Sequence, residues 1–389
     1  MSYDVVIVGG GAMGSSTAYH LMALEPSLSV AVIERDSTYA RASTVLSDGN
    51  VRVQFNLEEN IKISQHTLEI LPKFADQMET ATYRPEVTAH HQGNLFTVDE
   101  ANVEAALAGM ETQLELGCNV AWLDAAGIAD RYPSLASSGL AGGTIGFDDG
   151  SVDPNGILRG YRSKAIEMGV EYIEAEVDSL IAGDEVMRGV RLVSGERIEC
   201  DTIVNAAGAW SPNLARGVGV DLPVKPVMRT VYVVSTSFST KGLPSVFLPS
   251  GVYALTEGEH TWLMGWSRPE DPVGFDFKPA NRERFTEQIW PALVENLPGF
   301  DRLRVERSWA GLYAVNTFDG NAILGEWPET RGLYLATGFS GHGFQQCPAV
   351  GRYLSEQILG LAHSLDLGRL GGKRIIDNQP LYEHAGRLI

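Results

Sequence analysis

Val5-Val6-Ile7-Val8-Gly9-Gly10-Gly11-Ala12-Met13-Gly14, followed by Val30-Ala31-Val32-Ile33-Glu34, is the stretch on which the fold turns. Four β-branched residues running into glycines read as a buried strand, Ser15, Ala18 and Leu21 as a helix of small and apolar residues, and Val30 to Glu34 as a second strand. That is a βαβ unit. Gly9, Gly11 and Gly14 are spaced G-x-G-x-x-G: the first permits the tight turn, the second lets a pyrophosphate approach the backbone, and the third lets the helix lie close on its strand. Amides at the helix start, from Ala12 and Met13 onward, face the phosphates. Glu34, with Arg35 beside it, falls where a carboxylate accepts hydrogen bonds from ribose hydroxyls and repels a 2′-phosphate, which favours a dinucleotide other than NADP.

Working outward, two more strands end in glycine turns. Thr202-Ile203-Val204-Asn205 runs into Ala206-Ala207-Gly208-Ala209-Trp210, and Leu333-Tyr334-Leu335-Ala336-Thr337 runs into Gly338-Phe339-Ser340-Gly341-His342-Gly343. In an open α/β sheet such turns gather along the carboxyl edge, where ligands bind. A glycine-rich strand-to-helix turn so late in the chain favours FAD over NAD, because the amides and positive dipole end of the following helix suit the negative charge of a reduced flavin. Alternating runs such as Arg229-Thr-Val-Tyr-Val-Val-Ser and Thr261-Trp-Leu-Met-Gly-Trp, with a helical pattern from Arg282 to Leu297, predict antiparallel sheet with covering helices. The expected fold is therefore α/β, in two parts. Residues 1–81, 147–215 and 317–389 form a discontinuous, Rossmann-like FAD-binding domain, and residues 82–146 and 216–316 a mostly antiparallel substrate-binding domain.

The 389 residues carry 30 Lys plus Arg against 49 Asp plus Glu, a formal charge of −19 that argues against nucleic acid and anionic membrane as partners. No apolar stretch is long enough to span a bilayer. Cys118, Cys200 and Cys347 are odd in number and far apart, fitting neither a disulfide framework nor a metal site, so a reducing cytoplasm and no metal are expected.

Taken with Ser151-Val-Asp-Pro-Asn, Asn205-Ala-Ala-Gly-Ala-Trp, Thr317-Phe-Asp-Gly-Asn-Ala-Ile-Leu-Gly and Gly338-Phe-Ser-Gly-His-Gly-Phe, the chain resembles the DAO family of FAD-dependent amine oxidoreductases, which includes glycine oxidase, sarcosine oxidase and D-amino-acid dehydrogenase. Ala42-Ser-Thr-Val-Leu-Ser-Asp-Gly-Asn-Val-Arg-Val-Gln-Phe is most similar to the branch of FAD-dependent oxidoreductase-domain proteins linked to mitochondrial complex I assembly. The resemblance implies cofactor contacts from Ser43 and Thr44, from Val177 to adenine, and from Gly208, with Ala207 and Trp210 of the same turn, near the pyrophosphate. Ile323, Gly325 and the turn Gly341, His342, Gly343, Phe344 and Gln345 would bracket the isoalloxazine.

It also implies the reaction: a small amine or amino acid gives a hydride to the flavin, leaving an imine that water hydrolyses, with oxygen or another electron acceptor taking the electrons. Arg52 is the expected carboxylate clamp, since a guanidinium can grip a carboxylate through two parallel hydrogen bonds. Tyr253 and Tyr313 would orient the substrate, and His90, His91 and His342 are the histidines able to hold a proton near neutral pH. Three departures matter. Gln345 stands where sarcosine oxidases carry a lysine, the lysine used towards oxygen falls near Leu263 or Met264, and Trp309-Ala-Gly-Leu-Tyr313 and Ser43 to Ser47 lack the cysteine or histidine that would link a flavin covalently. Non-covalent FAD is therefore expected. A 2-hydroxy-acid dehydrogenase and a non-catalytic FAD-binding assembly factor remain as alternatives.

Overall fold

A computed structural model describes residues 1–136, 139–237 and 239–383. Val5–Val8 lies fully buried inside a six-stranded sheet ordered Ile323–Glu326, Leu333–Thr337, Thr202–Asn205, Val5–Val8, Val30–Glu34, Glu171–Glu174. All pairings are parallel except that of the edge strand Ile323–Glu326. Continuous β-branched runs are what a sheet covered on both faces needs. Helices Ala12–Leu24, Pro154–Glu167 and Gly343–Ile358 cover one face, with Ile7, Leu21, Tyr161, Val350 and Leu354 in the shared core. Small residues let two of them come close. A Cβ on Gly351 would meet Ser16 Oγ at 2.3 Å, and Ser16 Oγ donates to Cys347 O at 2.8 Å. The opposite face packs under an antiparallel meander, Val177–Gly183, Val186–Leu192 and Arg197–Glu199.

A second sheet has eight strands, in the order Leu303–Asn316, Val224–Thr236, Thr261–Trp266, Val252–Gly258, Ser245–Phe247, Asn94–Val98, Gly142–Gly146, Val120–Asp124. It is antiparallel apart from Ser245–Phe247, which runs parallel to Asn94–Val98. Strand alternation divides its side chains between two faces. Tyr232, Val234, Trp262 and Met264 pack beneath Phe285, Ile289, Leu293 and Phe300, where the expected helix is realised as Arg282–Arg284, a π turn at Phe285–Ile289 and Trp290–Asn296. Phe96, Val231, Phe247, Tyr253 and Leu263 form the other face. The long strand Leu303–Asn316 is clamped to the third glycine turn, where Ser340 N–H donates to Ala314 O at 3.0 Å. No helix among the described residues is long and apolar enough to cross a membrane.

Candidate functional site

The carboxyl ends of Val5–Val8, Thr202–Asn205 and Leu333–Thr337 meet at one cleft of about 430 Å³. Its shape depends on glycine. Gly9 has φ +102°, and a Cβ there would lie 2.5 Å from Ala206 O; a Cβ on Gly14 would lie 2.0 Å from Gly9 O. Gly11 opens the helix Ala12–Leu24, and its missing Cβ would meet only Thr44 Oγ1, at 3.5 Å, so the backbone is bare towards the cleft. At one end the Glu34 carboxylate is held by Gly10 N–H at 2.8 Å and Asp36 N–H at 3.1 Å. Beside it the Arg35 guanidinium sits 3.7 Å from the centre of the Trp210 ring. Thr44 Oγ1 accepts from Ala12 N–H at 3.2 Å, while Ser43 Oγ donates to Leu312 O at 2.7 Å and so ties the cleft wall to the second sheet.

At the other end Tyr313 packs on the third turn: Gly341 has φ +101°, and a Cβ on it would lie 2.3 Å from the tyrosine ring. Behind that turn is Arg52, which is 6 % exposed. Its Nη2 lies 3.0 Å from His342 Nε2, and its guanidinium is bracketed by the rings of Phe55 at 4.7 Å and Phe96 at 5.2 Å. Arginine only donates, so Nε2 of His342 accepts and the imidazole proton sits on Nδ1. Burial and the adjacent Arg52 push the His342 pKa down to about 3, leaving a neutral ring. No carboxylate oxygen of a described residue comes within 4.0 Å of Arg52, and its Nε is buried without a partner.

The backbone carrying Arg52 is fixed from several sides. Arg52 N–H donates to Gln345 Oε1 at 2.7 Å, Val53 N–H to Asp149 Oδ1 at 2.8 Å, and Gln54 Nε2 to Asp149 Oδ2 at 2.9 Å. Asn56 N–H and Leu57 N–H both donate to Glu383 Oε2. Burial raises the Asp149 carboxyl to about 6.

Of the residues expected from sequence, Gly9, Gly11, Ala12, Met13, Glu34, Arg35, Ser43, Thr44, Val177, Ala207, Gly208, Trp210, Tyr313, Gly341, Gly343 and Phe344 line the cleft. Arg52 and His342 stand behind the third turn, and Tyr253 packs in one cluster with the lining residue Val231. Others are placed elsewhere. Gly14 packs helix on strand, Ile323 is fully buried in the core beneath the sheet, and a Cβ on Gly325 would run into Gln357. Gln345 is buried, and its side chain serves the Arg52 amide rather than the cleft, because the helix Gly343–Ile358 turns it inward. His90 and His91 lie apart from the cleft; the His91 ring is exposed and contacts Asp148 O. Leu263 shares the face of Tyr253 and Val231, and Met264 points the other way.

Sequence reading missed the charged wall residues Asp36, Arg41, Asp48, Glu176, Asp178 and Arg229, of which Asp48 and Arg229 interact with Tyr313. Arg229 opposes Gly311 in the strand pair, lies 5.5 Å over the Tyr313 ring, and shares Asp271 with Arg284. The alternation Arg229-Thr-Val-Tyr-Val places Arg229 with Val231 on one face, but only the strand pairing shows that this face is the cleft wall.

A cofactor for this cleft needs a pyrophosphate to meet bare backbone and a planar group to reach the third turn. The residues fit FAD on both counts; Arg35, Arg41 and Arg229 stand in the lining beside the acids Glu34, Asp36, Asp48, Glu176 and Asp178.

Comparison with known proteins agrees. The chain is 34% identical over 426 residues to FAD-dependent oxidoreductase domain-containing protein 1 of Bos taurus, covering 98% of this chain and 86% of that one. It is 23% identical to a glycine oxidase of Bacillus licheniformis, over 92% of this chain and 93% of the relative. The solved L-proline dehydrogenase of P. horikoshii superposes with a TM-score of 0.86 at 24% identity, covering 98% of this chain and 99% of the other, which is likeness of fold. The family model for FAD dependent oxidoreductases, DAO, matches residues 4–357, and with the three glycine turns converging on one cleft the chain belongs to that family.

Proposed function

We propose that this enzyme oxidises the CH–NH bond of a small amino acid, preferably one whose nitrogen is secondary or N-substituted. The observation that carries the reading is Arg52: a guanidinium buried between aromatic rings, with no carboxylate of a described residue within 4.0 Å. A buried cation offset only at a distance, by Asp149, Glu383 and Asp48, remains costly, and a substrate carboxylate in direct contact is the partner that removes the cost. The Glu34 carboxylate would take the ribose hydroxyls of FAD, the main chain at Val177 the adenine, the amides at Gly11 and Met13 the pyrophosphate, and Tyr313 with Gly341 to Phe344 would flank the isoalloxazine.

Bound FAD supplies a two-electron oxidation at the carbon bearing nitrogen, after which the imine hydrolyses in water. The chain's own residues position and desolvate. Arg52 fixes the carboxylate, His342 holds Arg52 as a neutral acceptor, and Phe55 and Phe96 keep water from its faces. The names of the glycine oxidase and L-proline dehydrogenase relatives support an amino acid as substrate. Anaerobic mixing of the yellow holoenzyme with glycine, N-methylglycine, L-proline, iminodiacetate, lactate and glycolate tests it. Bleaching by one or more amines is expected; bleaching by the hydroxy acids alone, or by nothing, overturns the reading.

A further inference from the structure

Asp48 is the one carboxylate of the cleft wall close enough to Arg52 for their charges to interact, and the two do not pair. Opposite charges in one desolvated pocket normally collapse onto each other unless each is held. Here each is held. The Tyr253 hydroxyl donates to Asp48, and Asn50 N–H approaches Asp48 Oδ1 at 3.4 Å; His342, Phe55 and Phe96 hold Arg52. An ionised carboxylate has about four acceptor sites, so these donors leave some for a ligand. Burial raises the Asp48 carboxyl above its usual range, while Tyr253 and Arg52 pull it back.

We propose that Asp48 receives the substrate's ammonium group while Arg52 receives its carboxylate, so that the site selects a zwitterionic amino acid. This rests on the amine-oxidising reading above. Asp48 then also takes the proton that must leave nitrogen before the adjacent C–H can be oxidised. The N–H bond breaks with its electron pair staying on nitrogen, an O–H bond forms on the carboxylate, and no oxidant is consumed. Asp48 would thus be a catalytic residue, distinct from the carboxylate clamp.

The groups facing Asp48 are Arg52 and Asn50 on its own segment, Tyr253 and Glu257 from strand Val252–Gly258, and Tyr313 from strand Leu303–Asn316. Glu257 opposes ionisation of Asp48, and Arg52 favours it. Burial raises both the Asp48 and the Glu257 carboxyls above their usual range, so acidification neutralises them while the substrate ammonium stays charged.

The test uses two isosteric pairs on the anaerobic holoenzyme: N-methylglycine with methoxyacetate, and L-proline with tetrahydrofuran-2-carboxylate. Each pair differs in NH₂⁺ against O. Binding is read from perturbation of the flavin spectrum, extrapolated to zero time where bleaching follows. Wild type should prefer the amine of a pair by roughly 10- to 100-fold, the scale of a hydrogen bond between charged groups. Asp48→Asn should lose that preference through weaker amine binding, leave the ether's affinity within about threefold, and be partly rescued by Asp48→Glu. Retention of the preference in Asp48→Asn overturns the proposal. If the variant does not hold FAD, wild type decides: amine affinity must fall on acidification while ether affinity stays flat, and parallel profiles overturn the proposal. Amines that bleach the flavin while Asp48→Asn keeps its preference would sink Asp48 alone; bleaching by hydroxy acids alone would sink the broader reading.

Discussion

At the scale of single residues the site is built from groups whose ordinary ionisation has been altered by burial. Arg52→Ala removes the guanidinium that, among the described residues, is placed to grip a carboxylate behind the third turn. A loss of about 10²- to 10³-fold in kcat/KM for carboxylate substrates is expected, with the flavin spectrum unchanged. Arg52→Lys should recover part of it, since an ammonium lacks the planar fork; activity equal to wild type in either variant would send the carboxylate elsewhere. His342 yields a pH prediction. Its folded pKa of about 3 lies below the ordinary histidine value of about 6.5, so its contribution to stability is complete above pH 6.5 and is lost as the pH falls towards 3, because the unfolded chain takes up a proton that the folded one refuses. At pH 5 the cost is about 2 kcal/mol. Asp149, raised to about 6, works the other way over the same interval. Urea unfolding of His342→Asn at pH 5 and pH 8 should therefore show a smaller acid loss than wild type, and an identical loss would mean that the ring is already charged in the folded protein.

At the scale of elements, the strand-to-helix turns were legible in sequence because everything they need is local: a β-branched run, a glycine where φ is positive, a small residue where helix meets strand. Gly14→Ala tests that locality. A Cβ lying 2.0 Å from Gly9 O must displace the helix Ala12–Leu24, and the affinity of apoprotein for FAD should fall by at least about tenfold. Full FAD content at wild-type affinity would show that the helix can slide without cost. What was not legible came from pairings between distant elements. Asp48 reads as a loop acid and Arg229 as a strand cation until Ser43 is tied to Leu312 O and Arg229 stands opposite Gly311. Gln345 fell within a turn matched to the flavin, yet the phase of helix Gly343–Ile358 points its side chain to the Arg52 amide. Leu263 and Met264 could be separated only once the two faces of the second sheet were known.

At the scale of the whole molecule, two expectations concern the cofactor and its electrons. Among the described residues the cleft lining contains no cysteine or histidine, so acid precipitation should release intact FAD into the supernatant; yellow colour retained in the washed pellet would contradict non-covalent binding. Oxygen reacts fastest where a cation stabilises the superoxide formed by the first electron transfer. Leu263 presents no charge on the cleft-side face, Arg229 shares Asp271 with Arg284, and Arg52 stands behind the third turn rather than in the cleft lining. Reduced enzyme should thus reoxidise slowly in oxygen compared with a dye acceptor, and stopped-flow reoxidation as fast as turnover would defeat this expectation. The order of the parallel sheet has a consequence for biosynthesis. Val5–Val8 leaves the ribosome before its neighbour Thr202–Asn205, which follows only after the intervening chain has been made, roughly 10 to 40 s later at ordinary elongation rates. Throughout that interval one edge of an apolar strand has no hydrogen-bonding partner, and Leu333–Thr337, which closes the cofactor's third turn, arrives later still. The nascent chain therefore cannot retain FAD until Leu333–Thr337 has emerged, and its yield in a cell depends on how well that open edge is shielded until then.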